Sequence, residues 1–238
     1  MAAASAAVRA VDPEQIREGI ARRLIELPCS HLDVVLNEDL APVIRGRVES
    51  PEDLALVREA GGDLSAGVKP VLAVEVVEAP FCSVLGEVEK IGAGAAGPGI
   101  ALNRADANYA AGDYVVVTVA VPPDLADGYL NVLFVDGAGK VVHLLPNPYL
   151  RDTRVHGGQT VRLGVEANER RAGVRDYQVT PPYGRGLLLA ILSTVPLTGV
   201  GRAEVEQVDD LLPVLASAVA EVPPGGLRLS RIALVTHP

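Results

Sequence analysis

Polar and apolar residues alternate with period two through much of the chain, and β-branched residues dominate the apolar positions. Asp113–Val121 (DYVVVTVAV) places Val115, Val117, Val119 and Val121 on one face. Gly128–Asp136 (GYLNVLFVD) follows, then a turn at Asp136-Gly137-Ala138-Gly139, then Lys140–Leu145 (KVVHLL) before Pro146-Asn147-Pro148. This pattern predicts adjacent antiparallel strands, a hairpin core of a β-sandwich. Gln159–Ala167 gives the cleanest alternation, with Val161, Leu163 and Val165 inward and Thr160, Arg162 and Glu166 outward. Asp176–Thr180 reads as a short strand and Pro181–Gly184 as a turn. Arg185–Ser193 (RGLLLAILS) is almost continuously apolar, as expected of a strand buried on both sides. Asp209–Glu221 reads as a late helix whose Pro213 falls in its first turn, and Leu229–Thr236 as a last strand.

The N-terminal third changes period. Asp12-Pro13-Glu14-Gln15 is a helix start, with Ile16, Ile20 and Leu24 as its apolar stripe. Strands follow at His31–Asn37 and Ala41–Val48. Ser50-Pro51-Glu52-Asp53 starts a second helix, expected to stop before Gly61-Gly62. Val71–Glu78 is a third strand and Pro80–Ile91 a closing helix. The simplest sheet sets the third strand beside the first, antiparallel, with the second on the far side. That arrangement brings the start of strand one near the end of strand three, where Cys29 and Cys82, the chain's two cysteines, lie. A disulfide follows from it, worth about 4 kcal/mol in the chain-entropy model. Two buried thiols, or a metal held by Cys29, His31 and Cys82, are the other readings, the last short of a fourth ligand.

Order and spacing place residues 1–11 as disordered or linker, 12–91 as a first α+β domain, 92–104 as a Gly/Ala-rich linker, and 105–238 as an immunoglobulin-like β-sandwich with a late helix. The linker contains Gly92-Ala93-Gly94-Ala95-Ala96-Gly97, a G-x-G-x-x-G string. A helical segment precedes it and Pro98-Gly99 follows, so no βαβ unit surrounds it and no dinucleotide site is expected.

Composition narrows the classes. Hydrophobic residues make up 49% of 238, but aromatics only 3%, so the core is aliphatic. The formal charge of -9 argues against nucleic acid or an anionic membrane surface as partner. No apolar run reaches the roughly 18 residues of a membrane span. The opening Met1–Arg9 is a poor signal peptide and reads as linker from a larger protein.

No catalytic constellation is legible: there is no G-x-S-x-G, no H-R-D and no D-F-G. His143 lies on a strand face with Val141 and Leu145, and His156 in a loop. Ser193 sits in a buried-looking strand, and Glu166 and Glu169 read as solvated charges. No catalytic residue, cofactor or metal is expected. The surface candidate is the loop Pro146, Asn147, Tyr149, in which two prolines limit the backbone and Tyr149 offers a ring to a protein, peptide or glycan. In the plainer reading Asn147 merely closes the turn.

Two resemblances add expectations. Residues 12–78, through element order and Ile44-Arg45-Gly46-Arg47-Val48 followed by Ser50-Pro51-Glu52-Asp53-Leu54, resemble the BON domain, an αββαβ module of bacterial envelope proteins. Residues 105–197 resemble an uncharacterised bacterial β-rich domain of unknown function. Tyr109–Asp113, Gly128-Tyr129-Leu130, Val135-Asp136 with Gly139-Lys140, Leu144–Asn147, Pro182-Tyr183-Gly184, Ser193 and Pro196-Leu197 carry that likeness. Members of that family often follow a serine/threonine kinase or caspase-like domain. The resemblance implies a non-catalytic sensory or partner-binding region of a larger bacterial protein, a kinase-bearing one among the candidates. A periplasmic or extracytoplasmic setting is favoured over a cytoplasmic one. The competing classes are a hydrolase with a site between the domains and a structural component of an envelope or secretion apparatus.

Overall fold

The computed structural model describes residues 13–24, 27, 29–37, 41–64, 69–89, 96–197 and 202–238. The expected linker at 1–11 and most of the glycine string at 92–97 lie outside them. The protein is mixed α+β, mostly strands in several sheets. It divides into two compact units, Met1–Cys82 and Ser83–Pro238.

The first unit runs α1 (Pro13–Leu24), β1 (His31–Leu36), β2 (Pro42–Val48), α2 (Pro51–Leu64), β3 (Val71–Val76). A further helix, α3 (Phe81–Glu89), starts at the boundary. The start of α2 is chemically explicit. The Ser50 hydroxyl accepts from the Asp53 N–H at 3.1 Å, and the Asp53 carboxylate accepts from the Ser50 N–H at 3.1 Å, a reciprocal cap with Pro51 at the first helical position. Ile44, Val48 and Val57 are fully buried and form the core with Leu24, Val34 and Ala60.

The sheet order corrects the expected one. It is β1-β2-β3, with β2 in the middle, antiparallel to β1 and parallel to β3. Both connections are between sequence neighbours, a hairpin and then a helical crossover, which the chain closes at less entropic loss than a jump across the sheet. The disulfide survives the correction. His31 pairs with Arg47 and Val48 with Val76, so the start of β1 and the end of β3 flank the same end of β2. Cys29 and Cys82 are bonded there, with Cα atoms 5.8 Å apart. Gly46 belongs to the same device. Its φ is +129°, and a Cβ there would stand 1.9 Å from the His31 carbonyl oxygen, so only glycine lets β1 lie this close. The helix α2 also differs from expectation by running through Gly61-Gly62. A Cβ on Gly61 would come within 3.0–3.1 Å of Pro70 and Ile44, so this glycine permits close packing on the sheet.

The second unit contains β4 (Gly99–Leu102), β5 (Asn108–Ala110), β6 (Val117–Ala120), β7 (Asp127–Asp136), β8 (Lys140–Leu145), β9 (Arg154–His156), β10 (Thr160–Leu163), β11 (Gly184–Ser193), β12 (Val205–Gln207), α4 (Val208–Ala220) and β13 (Leu227–His237). One sheet has the order β10-β6-β4 and the other β12-β8-β7-β11-β13-β5, with β9 also on β7. Val117, Val119 and Leu163 from the small sheet share one core with Leu130, Val132, Leu144, Leu188, Ala190 and Leu192 from the large one. The two sheets therefore face each other across aliphatic side chains. α4 buries Val208, Leu211, Leu215 and Val219, one face at helical spacing.

Four expectations need correcting here. β6 does not neighbour β7; it pairs with β10 and β4, while the β7–β8 hairpin forms as expected. Inward valines show which face is buried, and strands of opposed sheets share that face. Gly99–Leu102, expected within a linker, is a strand of the small sheet. Residues 176–180 contribute only a bridge between Gln178 and Tyr114. Pro213 lies in the second turn of α4, the sixth residue of a helix that starts at Val208.

Candidate functional site

β8 ends at Leu145, and the loop after it is organised by one buried side chain. Asn147 donates through Nδ2 to the Leu144 carbonyl at 2.6 Å and to the Tyr177 hydroxyl at 3.2 Å. Its Oδ1 accepts from the N–H groups of Tyr149 at 2.8 Å and Leu150 at 2.9 Å. Both donors and both lone pairs of the amide are used. Asn147 thus closes the turn, as the plainer sequence reading has it. The consequence is outward: Tyr149 is 61% and Leu150 40% exposed, on a loop whose backbone is held from beneath. Burial pushes the Tyr177 hydroxyl well above the ordinary phenol range, so it stays protonated in this network.

Tyr149 lines a hollow of about 440 Å³ with the turn Arg170–Asp176. Arg170 pairs with Asp176 at 2.7 Å and lies over the Tyr114 ring at 5.3 Å. Arg175 is bonded to Glu204 and lies over the Tyr177 ring at 5.5 Å. Arg171 has no ion-pair partner among the described residues. A second hollow, also about 440 Å³, shares Arg170, Arg175 and Asp176 and is floored by Phe134, Leu144, Leu188 and Leu234. The arginines were not singled out in the sequence. The Arg170-Arg171 doublet in an acidic chain is the signal that marks them, but their convergence with Tyr149 is tertiary.

The remaining candidates lie elsewhere. Cys29 and Cys82 are spent on each other, which removes the thiolates that the metal reading with His31 needs. His143 is buried, and its Nε2 lies 2.6 Å from Glu206 Oε1. Glu206 is held in turn by Arg202. Burial alone would raise the Glu206 carboxyl, but the hydrogen bonds from Arg202 and His143 outweigh it and leave it below the ordinary value. His143 lines neither hollow. Ser193 is buried and donates to the Val195 carbonyl at 2.6 Å. His156 ends β9 rather than lying in a loop, and is exposed. Glu169 accepts from the Glu166 N–H and pairs with Arg162, capping the 3-10 turn Ala167–Glu169 rather than standing free.

Several residues that carried the sequence resemblance are turn chemistry. The Asp113 carboxylate accepts from Ala110 N–H at 2.7 Å and pairs with Arg104, with Gly112 at φ +86° between. Asp136 Oδ1 accepts from Ala138 and Lys140 N–H, both at 2.9 Å, and so shapes the β7–β8 turn.

Among the described residues no helix is long and apolar enough to cross a membrane. No curated protein and no solved structure matches the chain. Residues 108–196, which span β5 through β11 and include both the Asn147 loop and the arginine turn, match the family described as a domain of unknown function, DUF4384.

Proposed function

We propose that this chain is a non-catalytic, partner-binding region of a larger bacterial protein, docking its partner on the Tyr149 loop of the second unit. The observation that carries this reading is an aromatic ring 61% exposed on a loop held by the fully hydrogen-bonded side chain of the buried Asn147. An exposed ring on a preorganised loop binds at little further loss of conformational freedom. The side chains that a hydrolase would recruit support the same reading, since Ser193 and His143 are each about 1% exposed and already bonded inside the fold.

The finer parts of the proposal rest on likeness. An αββαβ order with Gly46 inside β2, close against β1, supports a BON-like first unit. Two facing sheets with a late helix support an immunoglobulin-like second one. A disulfide favours an extracytoplasmic setting. A kinase or caspase-like companion domain is proposed from the resemblance alone.

The test is a photo-crosslinking side chain at position 149, compared with one at exposed Glu52, in cells of the source bacterium. A discrete adduct is expected from position 149 only. Equal labelling from both positions would remove the loop as docking face.

A further inference from the structure

We propose that the hollow between Tyr149 and the Arg170–Asp176 turn takes an acidic peptide segment, with an Asp or Glu side chain among the guanidinium groups and an apolar neighbour against the Tyr149 ring. The assignment rests on the docking face argued above and gives its partner a chemical class.

Charge is the first argument. The chain carries a formal -9, yet Arg170, Arg171 and Arg175 line this hollow, and Asp176 together with the Glu204 bonded to Arg175 offsets only two of the three positive charges. At physiological salt the screening length is about 8 Å, so a ligand at the hollow meets the local sign and not the distant acidic surface. Preorganisation is the second. Arg170 is fixed by the Tyr114 ring and Asp176, Arg175 by the Tyr177 ring, Glu204 and, at 3.8 Å, Asp176. A guanidinium has five N–H donors and each carboxylate engages two of them at most, so donors remain for an incoming anion. Arg171 brings a charge with no ion-pair partner among the described residues.

The apolar surroundings select a peptide over a bare anion. Tyr149 and Leu150 stand exposed at one side. On the other, the adjoining hollow continues over Phe134 and Leu144, so an extended segment can lay successive side chains across both. A phosphate track along nucleic acid needs many basic contacts, and three arginines on an acidic chain do not supply them.

Short random peptides displayed against the full chain test the assignment, with selected binders re-measured by fluorescence polarisation on Arg171→Glu and Tyr149→Ala variants. Both substitutions are at exposed side chains, so the fold is retained. The expected binders combine Asp or Glu with Leu or an aromatic residue, weaken as salt rises, and lose about tenfold in affinity in each variant. Neutral or basic binders that Tyr149→Ala abolishes and Arg171→Glu leaves intact would overturn the acidic class while keeping the docking face. Binders indifferent to both substitutions would overturn the docking face as well.

Discussion

The two units solve the same stability problem with different means. The first has strands of six and seven residues, a core centred on Ile44, Val48 and Val57, and a covalent bond across the end of its sheet. The second has strands of ten and eleven residues, β7, β11 and β13, and a core fed from two sheets. A small unit buries too little surface to stand on its core alone, so single contacts such as Cys29–Cys82 and the Gly46 approach carry a large share of its stability. In the large unit the burden is spread, and a buried polar group such as Asn147 is committed to holding a surface loop.

The comparison is broken most severely at Gly46. Gly46→Ala forces a Cβ onto the His31 carbonyl at a φ that L-residues avoid, and should lose more than about 4 kcal/mol. Calorimetry should show the first unit's transition lost and the second unit's unchanged. Next comes reduction of the disulfide, which releases a loop with a sequence separation of 53. Denaturant unfolding with and without reductant should differ by about 4 kcal/mol in the first unit only. Equal effects on both transitions would contradict the division of roles.

In the second unit the largest single change is Leu188→Ala, at a side chain 1% exposed in the shared core. It should cost about 3 kcal/mol and leave a folded unit, by the usual range for core truncations. Smallest is Glu206→Gln, about 1–2 kcal/mol at neutral pH for a weakened charged hydrogen bond. The Glu206 carboxyl sits below its ordinary value of 4.5 in the fold, so its contribution is complete above that pH and fades as pH falls through the acid range. The substitution should flatten the acid limb of the second unit's stability curve; an unchanged acid limb would remove Glu206 from the account.

Particular residues show how far the chain could be read directly. Leu163 and Val165 are buried and Val161 half-buried, while Thr160 and Arg162 are exposed, as their alternation predicts. The Ser50–Asp53 cap and the apolar β11 were equally plain. The cysteine pairing was readable because there are only two, although the sheet order used to argue it was different. The site was far less legible. Asn147 and Tyr149 stood out through their prolines, but the partners that give them meaning, Tyr177 and Arg170–Arg175, lie more than twenty residues on. His143 and Glu206 are 63 residues apart.

What the sequence alone determined is local: the period of each segment, its starts and stops, and which side of it turns from water. Those follow from backbone sterics and from the solvation of each side chain, which need no knowledge of a neighbour. Only the tertiary structure decided that β2 is central, that β6 and β7 face each other from different sheets, and that three arginines meet one tyrosine. An inward-facing valine is equally satisfied by any apolar partner, so the choice among partners belongs to chain connectivity and close packing of the whole.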